Sequence, residues 1–300
     1  EEDKISDYKN LEWSYQNKLK YDYKSFISKL NYQNYKSKIV IGVDGFDGDR
    51  IGDSDTTNKS NKASFLLGEY NITDDLKVSS GIRRENVEYK YDSSTESSKY
   101  GSYLNAYDLG INYQLDNISS VFANYNKSYQ TPDIDRFFEY GTGIFTGVMN
   151  PSKVDNYTVG YNNILKYNKF KLSLFRANLN DEIYLYSVGG YKNTNIDESH
   201  KYGVELFDKY LINDNLYTSA NYSYIIAKID EENEGNGAYN GKDLPGVSKH
   251  NITVNLGYNI NNINTVLSHT YRNSAYAAND FANNFSQKQE AYNSTDLGTS

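Results

Sequence analysis

The sequence predicts an all-β fold, and within that class a transmembrane antiparallel β-barrel of which this chain forms only part. Three observations carry the prediction. In residues 251–260, Ile252, Val254, Leu256, Tyr258 and Ile260 alternate with Asn251, Thr253, Asn255, Gly257 and Asn259. A strand there has one greasy and one wet face, and about ten residues is the length of a tilted membrane-spanning strand. The chain is also polar yet aromatic: 38% of its 300 residues are hydrophobic, with 32 Tyr and 12 Phe. Continuous apolar runs, which a soluble core of this size needs, are almost absent, and a disordered chain would lack the aromatics. Finally, short turns alternate with long polar connectors, an asymmetry that barrels in membranes have and soluble sandwiches have no reason to show.

The turns read as Asn71-Ile72-Thr73-Asp74-Asp75, Gln114-Leu115-Asp116-Asn117, Lys166-Tyr167-Asn168-Lys169, Ile212-Asn213-Asp214-Asn215 and Asn259-Ile260-Asn261-Asn262. Asn and Asp suit tight turns because they tolerate left-handed backbone and bond to it locally. Between the turns lie connectors predicted at 48–61, 91–102, 130–154, 187–200, 230–248 and 276–290. Leu216, Thr218, Ala220, Tyr222, Tyr224 and Ile226 share one strand face, opposite Tyr217, Ser219, Asn221 and Ser223. Phe170, Leu172 and Leu174 alternate with Lys171 and Ser173, but Phe175, Ala177 and Leu179 take the other parity, predicting a bulge or a lumen-packed stretch. Residues 76–89 alternate poorly. The runs amount to about 12–14 strands of an expected 22, since a 22-strand barrel at this spacing needs roughly 500 residues. The chain opens at Glu1 and ends at Asp296-Leu297-Gly298-Thr299-Ser300 as a further strand begins. Residues 1–300 are therefore expected to be part of one barrel domain within a longer polypeptide.

Several short motifs then appear in order. They are Leu67-Gly68-Glu69-Tyr70 through Leu76 with Gly81-Ile82-Arg83, and Phe122 through Tyr129-Gln130-Thr131-Pro132. Asn150-Pro151 before Asn156-Tyr157-Thr158-Val159-Gly160 follows, then Tyr202-Gly203-Val204-Glu205, Leu244-Pro245-Gly246-Val247-Ser248-Lys249-His250 and Asn279-Asp280-Phe281-Ala282-Asn283. Singly each is weak, but six in sequence make the chain resemble the barrel of TonB-dependent outer-membrane receptors. It departs from the family pattern at Gln130, where Arg or Lys is usual, at Ser152-Lys153-Val154, where Lys-Pro-Glu is usual, and at Ser248, where a second Pro is usual.

The resemblance implies a receptor in the outer membrane of a Gram-negative bacterium that captures a scarce nutrient on extracellular loops. It implies a barrel plugged by an N-terminal domain and driven by a TonB-type energy-transducing complex, neither of which this segment carries. The partners expected are outer-membrane lipid, a small-molecule metal chelate and that complex. A ferric siderophore is the expected substrate on family frequency. Cobalamin or haem receptors remain alternatives, with a passive porin or a barrel hydrolase outside the class.

The residues themselves narrow this further. With a net charge of -8 and no basic stripe, nucleic acid is not an expected partner. No Cys is present, so thiolate sites are excluded. No enzymatic activity, resident cofactor or metal site is expected. Of the three His, His200 reads as a loop residue, His250 as structural and His269 as mid-strand. Ser268 and His269, as neighbours on one strand, point to opposite faces and build no hydrolase site. Asp44, Asp47, Asp49, Asp53 and Asp55 read as a solvated acidic loop rather than a calcium loop, as does 230–234. Trp13 reads as a membrane-interface anchor. The candidate ligand-binding residues are Phe137, Phe138, Tyr140 and Phe145, aromatics on the longest connector among Gly141, Gly143 and Gly147. The alternative for that loop is a fold back over its own hydrophobic cluster.

Overall fold

A computed structural model describes residues 2–10, 13–186 and 191–300, with side chains from residue 19 onward. Fourteen strands follow in chain order. They are β1 (Glu2–Asn10), β2 (Trp13–Gln33), β3 (Ser37–Ile51), β4 (Asp55–Asn71), β5 (Leu76–Ser93), β6 (Ser97–Gln114) and β7 (Ser119–Gln130). Then come β8 (Ser152–Ile164), β9 (Asn168–Tyr186), β10 (Lys192–Leu211), β11 (Leu216–Glu231), β12 (His250–Ile260), β13 (Ile263–Arg272) and β14 (Tyr292–Thr299). Each pairs antiparallel with its sequence neighbours in a single open sheet. The strand Trp13 belongs to is described, but its side chain is not, so its anchor role lies outside the described residues.

The predicted short turns are present, and polar side chains close three of them, Thr73 Oγ1 accepting from Asp75 N and Leu76 N in the first. Asn213 Oδ1 accepts the amides of Asn215 and Leu216, and Asp116 Oδ1 those of Ile118 and Ser119. Asn261 takes the left-handed backbone, φ 52°. A further turn at 34–36 uses the same device, with Asn34 Oδ1 accepting from Lys36 N and Ser37 N.

At the opposite end, three predicted connectors are strands instead. Residues 48–61 continue β3 and β4 to a connection at 52–54, and 91–102 continue β5 and β6 to one at 94–96. Most of 187–200 is β10; 187–190 lie outside the described residues. Polarity does not end a ladder. The backbone bonds are the same whether side chains meet lipid or water, so pairs such as Tyr89↔Tyr100 and Tyr91↔Ser98 extend these hairpins past any apolar band. Loops proper are 131–151, 232–249 and 273–291.

Register sorts side chains onto two faces. One cross-strand row reads Leu30, Ile41, Leu66, Ile82, Tyr107, and another reads Thr218, Leu256, Leu267, Leu297. Large apolar side chains on this face are exposed, Val159 and Leu174 at about half their surface. Apolar groups facing outward in such rows are what lipid requires and water does not tolerate. The other face is polar. Asn255 donates to Ser219 (3.1 Å) and Thr253 meets Thr270 (3.2 Å). His269 shares the lipid face with Val254 and bonds Thr295, while Ser268 lies on the lumen side opposite Asn255.

The parity change on β9 is lumen packing, not a bulge. Phe175 lies opposite Gly203 and Thr158. The same pairing recurs as Phe65 opposite Gly42, Phe122 opposite Gly160 and Tyr217 opposite Gly257. In each pair a Cβ on the glycine would run into the ring or into neighbouring backbone, at Gly203 into the Tyr224 carbonyl. Lumen-facing rings thus lie across bare backbone. Among the described residues the one register shift lies between Glu198 and Ser199, at the loop end.

The two faces make opposite predictions for one substitution. Leu256→Arg puts a charge in lipid and is expected to cost about 2–4 kcal/mol if it sits near the midplane. Asn255→Arg, one residue away, is expected to fold close to wild type. Equilibrium folding into bilayers, read by heat-modifiable gel mobility, checks both.

Candidate functional site

The longest loop is held by strand residues that project beyond the apolar rows. Pro132, where β7 ends, is buried, and its carbonyl accepts from Tyr89 Oη (2.8 Å) and Lys59 Nζ (3.0 Å). A single 3-10 turn, Ile134–Phe137, follows. It sets Asp135 between Tyr21 Oη (2.7 Å) and Arg50 Nε (3.2 Å). The Arg50 guanidinium lies 3.7 Å from the Phe138 ring centre and bonds Asp55 at 2.8 Å, so the tip of the β3–β4 hairpin grips the loop. Burial, then the bond to Asp135, pushes the Tyr21 phenol up to about 12. Burial lowers the Lys59 ammonium, against the pull of Asp133 and Glu85.

Phe137, Phe138 and Met149 are buried against Val87, Tyr89, Tyr91 and Leu104. Phe145 stacks on Tyr91 with centroids 3.7 Å apart and planes 3° apart, and bridges to Phe138. Three of the four candidate aromatics therefore fill the interior of a loop folded over its own cluster. Tyr140 is the exception at 76% exposure. The exposed glycines Gly141 and Gly143 beside it hold φ of 92° and 71°, a backbone that favours glycine.

Beneath this loop an ion network ties four strands. Arg83 makes two bonds to Asp44 (2.5 and 2.8 Å) and two to Glu85 (2.8 and 3.2 Å). Glu85 also accepts from Tyr129 Oη (2.8 Å) and Asn61 (2.7 Å). Of the Asp cluster expected as a solvated loop, only Asp53 lies in the connection, exposed; Asp44, Asp47 and Asp49 are on β3 and Asp55 is on β4. Asp44 holds Arg83, Asp47 and Asp49 hold Asn58, and Asp55 holds Arg50.

The second loop pair packs on the β9–β10 hairpin. Leu244 and Phe281 join Tyr186, Ile196, Ala227 and Ile229, and Tyr184 Oη donates to the Pro245 carbonyl at 2.6 Å. Asp243 is salt-bridged to Lys228 (3.0 Å) and Lys249 (2.9 Å), and its backbone is clasped by Asn283. Two of the motifs quoted above therefore meet in space as one latch. Burial alone would raise the Asp243 carboxyl, but its bonds to Lys249 and Lys228 win and hold it below its ordinary 3.8. Glu232, expected to be solvated, is buried because its carboxylate accepts the amides of Gly235 and Tyr239. His200 pairs with Asp230 at 2.7 Å and His250 with Tyr222 at 2.9 Å, both on the outward face. Among the described residues no group of three or more His, Asp or Glu is placed to hold a metal.

Between the end of β9 and the 273–291 loop lies a cavity of about 450 Å³ lined by Ile183, Tyr184, Leu185, Tyr191, Ala278 and Asn279. Tyr140 N donates to the Tyr191 carbonyl (2.8 Å), which sets the exposed Tyr140 beside its mouth. Leu185 and Tyr191, which line the cavity, are exposed apolar residues, as is Ile144 on the loop of Tyr140. The sequence signal for the cavity was weak, because Leu185 and Ala278 come together only through the hairpin and the late loop.

Residues 2–300 match the family model for a TonB-dependent receptor-like β-barrel. An uncharacterized TonB-dependent receptor of Haemophilus influenzae is 27% identical over 199 residues, covering 63% of this chain and 55% of that protein. The solved copper transporter OprC superposes with a TM-score of 0.76 at 13% identity, over 96% of this chain and 49% of that one. The ferric-catecholate import receptor Fiu from E. coli K12 gives 0.71 at 16%, over 95% and 48%. The chain thus spans about half the length of the proteins it matches.

Two outcomes follow from the packing. Phe137→Ala empties a fully buried site and is expected to cost about 3–5 kcal/mol of local stability, read as faster proteolysis within 131–151. For Asp243, whose folded carboxyl lies below 3.8, the stabilisation is complete above 3.8 and lost as pH falls through the lower folded value. Amide-exchange protection of 232–249 should fall in that acid window, and in Asp243→Asn it should be low already at pH 7.

Proposed function

Because this chain belongs to the TonB-dependent receptor β-barrel family, we propose that it is the barrel part of an outer-membrane receptor for energised nutrient uptake, with a ferric siderophore as substrate. The observation that carries the substrate reading is the cavity at the loop end, lined by the exposed Leu185 and Tyr191, with the exposed Tyr140 tied to Tyr191 through its amide and the exposed Ile144 on the same loop as Tyr140. Exposed rings and branched aliphatics are costly in water unless they serve contact. They suit the organic shell of a metal chelate, which offers apolar and aromatic surface while the metal stays wrapped. Of the four candidate aromatics, the ligand role then rests on Tyr140; Phe137, Phe138 and Phe145 act by holding the loop that presents it. Similar folds include proteins named for ferric-catecholate import and for ferric citrate transport.

On this reading, residues 1–300 are one portion of a barrel whose lumen is closed by a plug from the same polypeptide, and a TonB-type complex drives release. The protein is a transporter, not an enzyme. The polar lumen face is the wall against which the plug and the passing ligand lie.

The test is binding by the full-length receptor to a panel of ferric siderophores, haem and cobalamin. Tight binding of one ferric siderophore is expected, and Tyr140→Ser with Ile144→Ser should weaken it at least tenfold, about 1.4 kcal/mol. Tight binding of cobalamin or haem alone would replace the substrate assignment. Steady solute leak through the intact protein with no tight ligand would favour a passive porin.

A further inference from the structure

We propose that Lys62 and Arg84 seat the phosphate of an outer-leaflet lipid headgroup on the outer wall of the barrel, with an acyl chain of the same lipid in the groove below. The cross-strand register sets out the outward face of β3–β6 row by row. The row Ile41, Leu66, Ile82, Tyr107 is wholly apolar. The next row toward the long-loop end reads Val43, Ser64, Arg84, Asn105, and the one after it Gly45, Lys62, Asn86, Tyr103. Hydrocarbon contact therefore ends within one row, and two cations stand at its upper border. Short turns face the periplasm and long loops the exterior, so this border is the headgroup level of the outer leaflet.

Lys62 and Arg84 are diagonal neighbours on β4 and β5, about 7–8 Å apart at Cα. Both are exposed, and neither makes an ion pair with an acidic side chain among the described residues. Three other outward cations near this level are occupied or opposed. Lys127 pairs with Asp155 at 3.5 Å, Arg176 donates to Asn178 at 2.9 Å, and Lys24 lies directly across from Asp47. The Arg84 guanidinium instead lies 5.2 Å from the ring centre of Tyr103, an interfacial aromatic. Two adjacent like charges repel unless an anion lies between them, and a phosphate suits an Arg fork beside a Lys point charge. Ser64 and Asn105 flank Arg84 with a hydroxyl and an amide for further headgroup oxygens.

The groove is the second, independent observation. A cavity of about 450 Å³ opens on the same face, floored by Leu30, Ile41, Leu66 and Ile82 and headed by Ser64 and Arg84. Its amphipathic order, apolar trough then hydroxyl then cation, is that of a single lipid molecule. A free anion would leave the trough empty. Attraction of anionic lipid to clustered Lys and Arg contributes about 1 kcal/mol per residue near the surface.

The experiment uses the full-length receptor and native mass spectrometry after exchange into neutral detergent. The probes are bis-phosphorylated lipid A, its dephosphorylated form and inorganic phosphate. Wild type is expected to retain the phosphorylated lipid at least tenfold better than the dephosphorylated one. Lys62→Glu with Arg84→Glu should abolish that preference, while Lys36→Glu in a short turn leaves it intact. Leu66→Trp, which fills the groove with both charges kept, should also lower retention. Unchanged heat-modifiable mobility shows that each variant folds. Equal retention of the two lipids, an unaffected double variant, or displacement of the lipid by millimolar inorganic phosphate would overturn the proposal.

Discussion

In hydrocarbon, a backbone amide or carbonyl without a partner costs several kcal/mol, and this one constraint orders the whole structure. Every strand from β2 to β13 meets it by pairing with both of its chain neighbours, so the sheet runs β1 to β14 without a crossover. Once pairing is fixed, side-chain direction follows from a period of two. The same ladder that satisfies the backbone sends Ile252, Val254 and Leu256 to lipid and Thr253 and Asn255 to the lumen. Irregular backbone appears only where water or packed protein can replace the ladder. Asp181, with φ 56°, and the shift at Glu198/Ser199 both lie at the loop end, beyond the apolar rows.

That constraint also decides what a sequence shows. Alternation at 251–260 was legible because lipid punishes a polar outward residue and the lumen accepts one. Turns were legible because Asn and Asp close them with their own oxygens, as Asn213 and Asp116 do. Residues 48–61 and 91–102 were not legible as strands, since above the membrane the outward face meets water and the inward one packs under a loop through residues as different as Arg50, Thr57 and Tyr91, so the period loses its contrast. Residues 76–89 alternate poorly for a related reason. Val87 and Tyr89 face inward yet are apolar, because a loop packs on them.

At the rim the same lesson holds for individual residues. Phe137, Phe138 and Tyr140 are indistinguishable as letters on a glycine-rich loop. Their fates separate only when Tyr89, Tyr91 and Arg50 arrive from strands far away in sequence. The ordered motifs announced the family, and the structure gives two of them a physical task, the Asp243–Asn283 clasp that joins two loops. What the motifs did not announce is the division of labour at the rim, with buried rings building a support and the exposed Tyr140, Ile144 and Tyr191 left for contact.

The central claim is that one register divides every strand between lipid and lumen. It is tested most directly by placing single cysteines at each position from 251 to 260; residues 1–300 contain no Cys of their own, and any Cys outside them is replaced by Ser. Each is spin-labelled in the membrane-reconstituted receptor, and collision with lipid-dissolved oxygen is measured. The account predicts maxima at 252, 254, 256 and 258 and minima at 253, 255 and 257. A flat profile, or one of the opposite phase, would contradict it.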